Sequence, residues 1–200
     1  MKNIQILFLL LSFGQVVNGQ KIPLRAITEK LKSGQFITVS DFGFKEYAFV
    51  QKGDTTKFYT YQKKNTNPTS IYLYLPGSNA ENIYTYHKEN DSSYWYNSLI
   101  SFDFTYLPEN FLFVIIAKPG FGFFNNSNSK SIPQVYWEKT SLQDIVMSAN
   151  ATLNIVHKKI LKKPENVVVF GYSEGFYVAA KLATVNKKNY TFRHWWWWCL

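Results

Sequence analysis

The residues best suited to chemistry lie near the end of the sequence, where segment 171–175, GYSEG, fits the pattern G-x-S-x-G. The apolar residues 167–170 before this corner predict a buried strand, and the alanine-rich run after it predicts a helix. A strand-to-helix turn this tight lifts the hydroxyl of Ser173 above the sheet and needs glycine two positions to either side. Ser173 is therefore the candidate nucleophile, and Gly171 and Gly175 are the candidate elbow residues.

The start of the following helix would supply the electrostatics that an acyl-transfer nucleophile needs. The backbone N–H of Glu174 would lie beside the serine, where the negative charge of a tetrahedral intermediate develops. The alternative is a glycine-tolerant turn in which the serine is incidental. Because the pattern alone is short, it is the strand before it and the helix after it that favour a nucleophile.

These features resemble the α/β-hydrolase superfamily, in particular secreted bacterial esterases or peptidase-like proteins with G-x-S-E-G, over about residues 47–188. The resemblance implies an α/β fold with a mostly parallel sheet flanked by helices, an N-terminal antiparallel hairpin and an incomplete C-terminus. It also implies a second oxyanion donor in the loop after the third strand, here LPGSN at residues 75–79. Gly77 would permit close backbone approach, and the N–H of Ser78, or that of Asn79, would be the donor.

Other segments supply the elements that must position this corner. Two β-prone runs within residues 46–63 predict a hairpin. Two apolar runs, at residues 71–76 and 110–120, each predict a strand. Apolar residues at helical spacing predict a helix over residues 142–160. Thr140 and Gln143 have the spacing of a capping box at the start of that helix.

The partners of a serine nucleophile are not evident in the sequence. In this superfamily the acid and the histidine follow the serine along the chain, but after Ser173 only Glu174 and His194 carry these groups. His87 and His157 precede the serine and are interpreted as structural. His87 is the better of the two as an unconventional base, because its loop is expected to pass near the pocket.

The last segment, NYTFRHWWWWCL over residues 189–200, is anomalous because it contains four consecutive tryptophans. The tryptophan codon is TGG, and a run of TGG read one base along encodes glycine. Our hypothesis is a shifted reading frame that ends the chain early and omits the acid and the base. Translating the alternate frame of the gene tests it. The alternative is a genuine tryptophan-rich tail that binds a membrane or a sugar.

The first residues have the layout of a secretory signal peptide. Lys2 precedes an apolar run over residues 4–13, and cleavage is expected after Gly19. We therefore expect a secreted or periplasmic protein with no stable membrane span after cleavage. The predicted organisation is a signal peptide, an α/β-hydrolase domain and an anomalous tail, at residues 1–19, 20–188 and 189–200.

Composition argues against several other classes. The net charge is +9, but the lysines are scattered, so binding of nucleic acid is not expected. Cys199 is the only cysteine, and the three histidines lack the spacing of metal ligands, so we expect neither a metal nor a cofactor.

The sequence therefore predicts a secreted serine hydrolase that cleaves a small-molecule or acyl ester through a covalent acyl-Ser173, with a peptidase as a variant of the same chemistry. Without a base and an acid, little activity is expected of this chain. The alternative is an inactive hydrolase fragment or a non-catalytic module that binds carbohydrate or a surface. Such a module would use the aromatic residues Tyr72, Tyr74, Tyr84, Tyr86, Tyr94, Trp95 and Tyr96.

Overall fold

The computed structural model describes residues 24–88, 94–125, 131–186 and 191–193. The strands are β1 (Phe44–Gln51), β2 (Asp54–Tyr61), β3 (Ser70–Leu75), β4 (Tyr84–Lys88), β5 (Tyr94–Ser98), β6 (Phe111–Ile116), β7 (Phe124–Asn125), β8 (Asn166–Gly171) and β9 (Thr191–Arg193). The α-helices are α1 (Leu24–Lys32), α2 (Gln134–Lys139), α3 (Leu142–Ile155) and α4 (Glu174–Val185).

A six-stranded sheet in the order β1-β2-β6-β3-β8-β9 organises these elements. β2 is antiparallel to both of its neighbours, whereas β3 is parallel to β6 and β8, and β8 is parallel to β9. Only β2 therefore runs against the other five strands, and the predicted mostly parallel sheet is confirmed.

The N-terminal hairpin is also confirmed. β1 and β2 pair from Phe44 opposite Tyr61 to Gln51 opposite Asp54. The two turn residues between them have positive φ, 50° at Lys52 and 83° at Gly53. Such a turn matches the right-handed twist of the two strands it joins.

Side chains that alternate along the strands divide the core into two layers. On one face, α3 and α4 pack against β3, β6 and β8 through the buried residues Val146, Leu153, Leu182, Leu73, Val114 and Val169. On the other face lie α1 and a small sheet of order β5-β4-β7. They contribute the buried residues Ile27, Tyr84 and Tyr86, which belong to the same core cluster as Tyr59, Tyr74 and Phe113 of the large sheet. Helices therefore flank the sheet as predicted, but the small sheet on the second face was not anticipated.

The start of α3 differs from the prediction. Ser141 is the N-cap residue, and its hydroxyl accepts a hydrogen bond from the N–H of Asp144. Thr140 is the C-cap residue of the short helix α2, so the predicted capping box of Thr140 and Gln143 is wrong. The helical run continues beyond α3 as a π-helical turn that ends at Ile160, the predicted end.

Both termini lie largely outside this description. The predicted signal peptide and residues 194–200 are not among the described residues. β9 follows α4 along the chain and pairs with β8 in parallel. Within the described ranges, no helix is both long enough and apolar enough to cross a membrane.

The register of the sheet brings three loops to one edge. β3 pairs with β8 up to Leu75 opposite Gly171, and with β6 up to Tyr74 opposite Ile115. Because these three strands are parallel, their carboxyl ends meet at that edge. The loops after β3, β6 and β8 therefore lie side by side.

Candidate active site

Ser173 lies at the apex of the turn that joins β8 to α4, as the G-x-S-x-G pattern predicts. β8 ends at Gly171, α4 begins at Glu174, and the serine is exposed. Its backbone has φ 53° and ψ −119°, a conformation that residues with a side chain rarely adopt. Strain of this kind persists only where the surrounding structure imposes it.

The two elbow glycines are required by close backbone contacts. A Cβ atom on Gly171 would lie 2.2 Å from the carbonyl oxygen of Gly175, and one on Gly175 would lie 2.0 Å from the carbonyl oxygen of Leu75. Both distances are far inside van der Waals contact. The packing of β8, α4 and the end of β3 therefore excludes any side chain at these two positions.

The loop after β3 contacts the serine directly. A Cβ atom on Gly77 would lie 3.2 Å from Cβ of Ser173, so the Gly77 backbone borders the nucleophile. The N–H of Tyr172 donates to the carbonyl of Leu75 at 3.0 Å and holds the two loops together. Gly77 is buried, while Ser78 and Asn79 are exposed. The structure thus brings the predicted oxyanion loop to the predicted nucleophile.

Glu174 contributes a backbone donor at the same place. It is the first residue of α4, so its N–H is one of those that have no acceptor within the helix. The next two amides are engaged, since Gly175 donates to Tyr172 and Phe176 donates to Ser173, each at 2.9 Å. The Glu174 N–H therefore lies at the positive end of α4, beside the hydroxyl of Ser173.

Two side chains behind the corner were missed by sequence analysis. Lys118, in the loop after β6, places its Nζ 3.0 Å from Oε2 of Glu174, and only 5% of its side chain is exposed. Lys118 belongs to the scattered lysines of the sequence, but it is buried and does not contribute to a solvated basic surface. Its place directly after the most hydrophobic strand was the available signal, because that strand must end at the sheet edge where the site lies.

Tyr136 of α2 is the second of these side chains. Its hydroxyl donates a hydrogen bond of 2.8 Å to the carbonyl oxygen of Ser78. Burial, and then the charge of Glu174, raise the pKa of Tyr136 above its ordinary value. Tyr136 therefore lies close to both sides of the corner and stays a neutral hydrogen-bond donor at physiological pH.

The histidines considered as bases have different positions. His157 lies in the turn between α3 and the start of β8, whereas Ser173 follows the end of β8. The length of that strand, about 17 Å at 3.3 Å per residue, separates the two, so His157 is not the base. His87 lies in β4 opposite Trp95 and not in a loop as expected. His194 is outside the described residues.

A cavity of about 350 Å³ adjoins the corner on the side of α3 and α4. Its lining includes Leu75, Pro76 and Lys118 at the sheet edge, Val178 of α4 and the hairpin turn at Lys52. Ser173 is not part of this lining. The cavity therefore borders the end of β3 next to the serine corner without including the nucleophile.

The aromatic residues considered for a sugar-binding module are largely in the core. Tyr74, Tyr84 and Tyr86 are buried, and Tyr72 stacks on Phe170 with ring centroids 6.2 Å apart. These side chains are therefore not a stacking surface for a ligand, which corrects that part of the alternative. The side chains of Tyr94 and Trp95 are outside the description, and Tyr96 is exposed.

In the described part of the chain, histidine, cysteine and carboxylate side chains form no group of three or more that could hold a metal ion. The corner itself combines an exposed hydroxyl with the N-terminus of α4 and the backbone of the loop after β3.

The topology and the corner together have the form of the α/β-hydrolase fold, in which a serine follows a central strand and the loop after the third strand faces it. No protein-family model matches the chain, and no curated protein matches it in sequence.

Solved structures similar to the chain include three hydrolases. A cold-adapted esterase from an Arctic intertidal metagenomic library is 11% identical, with a TM-score of 0.48 over 72% of this chain and 56% of that one. A thermostable carboxyl esterase from Bacillus coagulans is 12% identical, with a TM-score of 0.47 over 76% and 44%. The thioesterase domain from the curacin biosynthetic pathway is 12% identical, with a TM-score of 0.46 over 76% and 45%. The chain spans about half the length of these proteins.

Proposed function

We propose that this chain carries the nucleophile and the oxyanion donors of a serine hydrolase that cleaves an ester through a covalent acyl-Ser173. The observation that carries the proposal is the exposed serine with φ 53° at the strand-to-helix corner, in contact with Gly77. A structural turn has no need of a side chain in this conformation, and glycine would adopt it without strain. The ester as substrate follows the resemblance of the G-x-S-E-G corner.

In the proposed reaction, Oγ of Ser173 attacks the carbonyl carbon of the ester, and the carbonyl π electrons move to oxygen. The resulting oxyanion accepts hydrogen bonds from the N–H of Glu174 and from the loop after β3, at Ser78 or Asn79. Collapse of this intermediate breaks the bond to the alcohol and leaves the acyl group on Ser173. Water then attacks the acyl-enzyme, releases the carboxylic acid and restores the hydroxyl.

The proton of the Ser173 hydroxyl passes to a general base and from there to the leaving alcohol. Lys118 is not proposed as this base, because the ammonium ion that pairs with Glu174 has no free lone pair to accept a proton. His157 is excluded by its position at the far end of β8. The proposal therefore assigns the nucleophile and the donors, and it assigns no residue as the base.

A fluorophosphonate probe, which forms a covalent bond with an activated serine, tests the proposal. We expect the purified full chain to be labelled once, slowly because no base has been assigned, with the label on the peptide that contains Ser173. S173A should abolish labelling, and S148A, which removes a half-buried hydroxyl from α3, should leave it unchanged. Equal labelling of S173A, or no labelling of a chain shown by circular dichroism to be folded, contradicts the proposal.

A further inference from the structure

The Lys118–Glu174 ion pair and the Tyr136–Ser78 hydrogen bond act on the same feature. The proposed oxyanion donors are the backbone N–H of Glu174 and that of Ser78 or Asn79, and the carbonyl of Ser78 shares a peptide plane with the N–H of Asn79. Lys118 contacts Glu174 from the loop after β6, and Tyr136 contacts the carbonyl of Ser78 from α2. Two elements outside the corner therefore reach the two sides of the proposed oxyanion site.

The burial of Lys118 requires a reason at this position. An ammonium ion taken out of water costs free energy unless a counter-charge and hydrogen bonds replace the lost hydration. Glu174 provides that counter-charge and remains about a third exposed, at 35% of its side chain. The pair thus fixes the first residue of α4 from its buried side, immediately after the nucleophile.

The ion pair also determines the charge beside the serine. An unpaired Glu174 carboxylate would disfavour the negative oxyanion that forms one residue away, because like charges repel most strongly where water is excluded. Lys118 compensates this carboxylate. The pair therefore orients the Glu174 backbone and removes an unfavourable charge from the same place.

Tyr136 has a corresponding effect on the loop after β3. Its hydroxyl binds the carbonyl oxygen of Ser78, and the peptide bond that follows is planar. Holding that oxygen fixes the orientation of the N–H of Asn79 and the course of the loop next to Gly77. The second donor is thus held from α2.

We propose that Lys118 is a positioning residue for the oxyanion site, acting through Glu174, and that Tyr136 has the matching role at Ser78. This inference rests on the proposed role of Ser173 as the nucleophile. It assigns the loop after β6 and the helix α2 to the catalytic machinery, although neither supplies an atom that touches the reacting ester.

The test measures the rate of fluorophosphonate labelling of the full chain at a series of probe concentrations. The series gives two quantities, the maximal labelling rate and the probe concentration at which the rate is half of this maximum. In K118M, we expect the maximal rate to fall about tenfold with a half-saturating concentration within about twofold, because oxyanion donors act mainly in the transition state. K118R keeps the charge and should recover most of the rate. K30M breaks the ion pair between Lys30 of α1 and Asp41, neither of which belongs to an element of the corner, and is the matched control, with an unchanged rate.

Amide hydrogen exchange in the same samples gives an independent measurement. In K118M, we expect faster exchange at Tyr172, Gly175 and Phe176, whose N–H groups make the hydrogen bonds of the corner. In Y136F, the faster exchange should be confined to residues 77–80. K30M should change neither segment.

The outcomes separate this inference from the proposed function. Labelling of K118M at the wild-type rate overturns the inference and leaves Ser173 as the nucleophile. The inference is also overturned if K118M loses labelling rate and melting temperature together and K118R does not recover the rate. Lys118 would then have only a structural role. Absence of labelling in the wild type contradicts the nucleophile, and the exchange rates of K118M then decide whether Lys118 holds the corner.

Discussion

At the scale of single residues, the corner is defined as much by absent side chains as by the hydroxyl. Gly171 and Gly175 let β8 and α4 approach each other, and Gly77 lets the loop after β3 contact the serine. Ser173 is held at positive φ between them. Adding even one methyl group at these glycines should therefore lower the stability of the fold strongly.

G175A tests this close packing. Its Cβ atom would lie 2.0 Å from the carbonyl oxygen of Leu75, so β3 and α4 would have to separate. We expect the free energy of unfolding to fall by about 3 kcal/mol or more, measured by urea denaturation. G122A is the control, since its Cβ atom would meet only Oδ1 of Asn82, at an ordinary 3.5 Å. A G175A chain as stable as G122A would contradict the described corner.

The residues of this corner could be predicted from the sequence because they lie close together along the chain. G-x-S-x-G spans five positions, and the need for two glycines follows from the turn itself. Lys118 and Tyr136 could not be identified in this way. Their partners, Glu174 and Ser78, are 56 and 58 residues away along the chain, and only the parallel pairing of β3, β6 and β8 brings the loops together.

At the scale of elements, the N-terminus of α3 connects the helix to the hairpin. Asp144 accepts a hydrogen bond from the Ser141 hydroxyl, and its Oδ1 lies 3.2 Å from Nζ of Lys52 in the turn between β1 and β2. The hydrogen bond from Ser141, and then the interaction with Lys52, hold the pKa of Asp144 below its usual value of 3.8. The ionised carboxylate therefore stabilises the fold.

D144N should show this contribution and its pH dependence. Because the pKa in the folded chain lies below that in the unfolded chain, the stabilisation is present above about pH 4 and is lost as the pH falls through the folded value. We expect a melting temperature roughly 2–4 °C lower at pH 7, for a loss of about 1 kcal/mol. The difference from wild type should shrink between pH 4 and pH 2.

Melting curves followed by circular dichroism at pH 7, 5, 4, 3 and 2 make this measurement. E29Q is the control, because Glu29 is well exposed and its ion pair with Lys32 is long, at 3.9 Å. A difference between D144N and wild type that stays constant down to pH 2 would exclude a role for the charge of Asp144.

The elements themselves were predictable where one periodicity persists over many residues. The helix stripe over 142–160 and the hairpin around Lys52 are examples. The predicted N-cap of α3 was wrong because α2 ends immediately before that helix and uses Thr140 as its own C-cap. A helix of six residues is too short to produce a clear periodic pattern in the sequence. The small sheet escaped prediction because its pairing joins β4 to β7, two strands separated by β5 and β6.

At the scale of the whole molecule, the alternation of strands and helices indicated an α/β fold, but it could not give the strand order. The insertion of β6 between β2 and β3 depends on pairing across the chain and not on any local pattern. In that order, elements pack on both faces of the central strands, which explains why several tyrosines are buried. Burial raises the pKa of Tyr86 to about 12, as expected for a hydroxyl removed from water.

Export of the whole chain is a separate expectation from the sequence. Expressed with its first 19 residues in a bacterial host, the protein should appear outside the cytoplasm with Gln20 as its first residue. Mass spectrometry of the intact protein gives this directly. L9R places a charge in the apolar run and should leave the chain uncleaved inside the cell. An exported protein that still begins at Met1 would contradict the signal-peptide interpretation.

The torsion angles at position 173 have a consequence for the stability of the folded chain. A residue with a side chain in this region of φ and ψ costs on the order of 1–3 kcal/mol, and glycine would relax the backbone there. The side chain of serine therefore imposes a local strain that the rest of the fold has to offset.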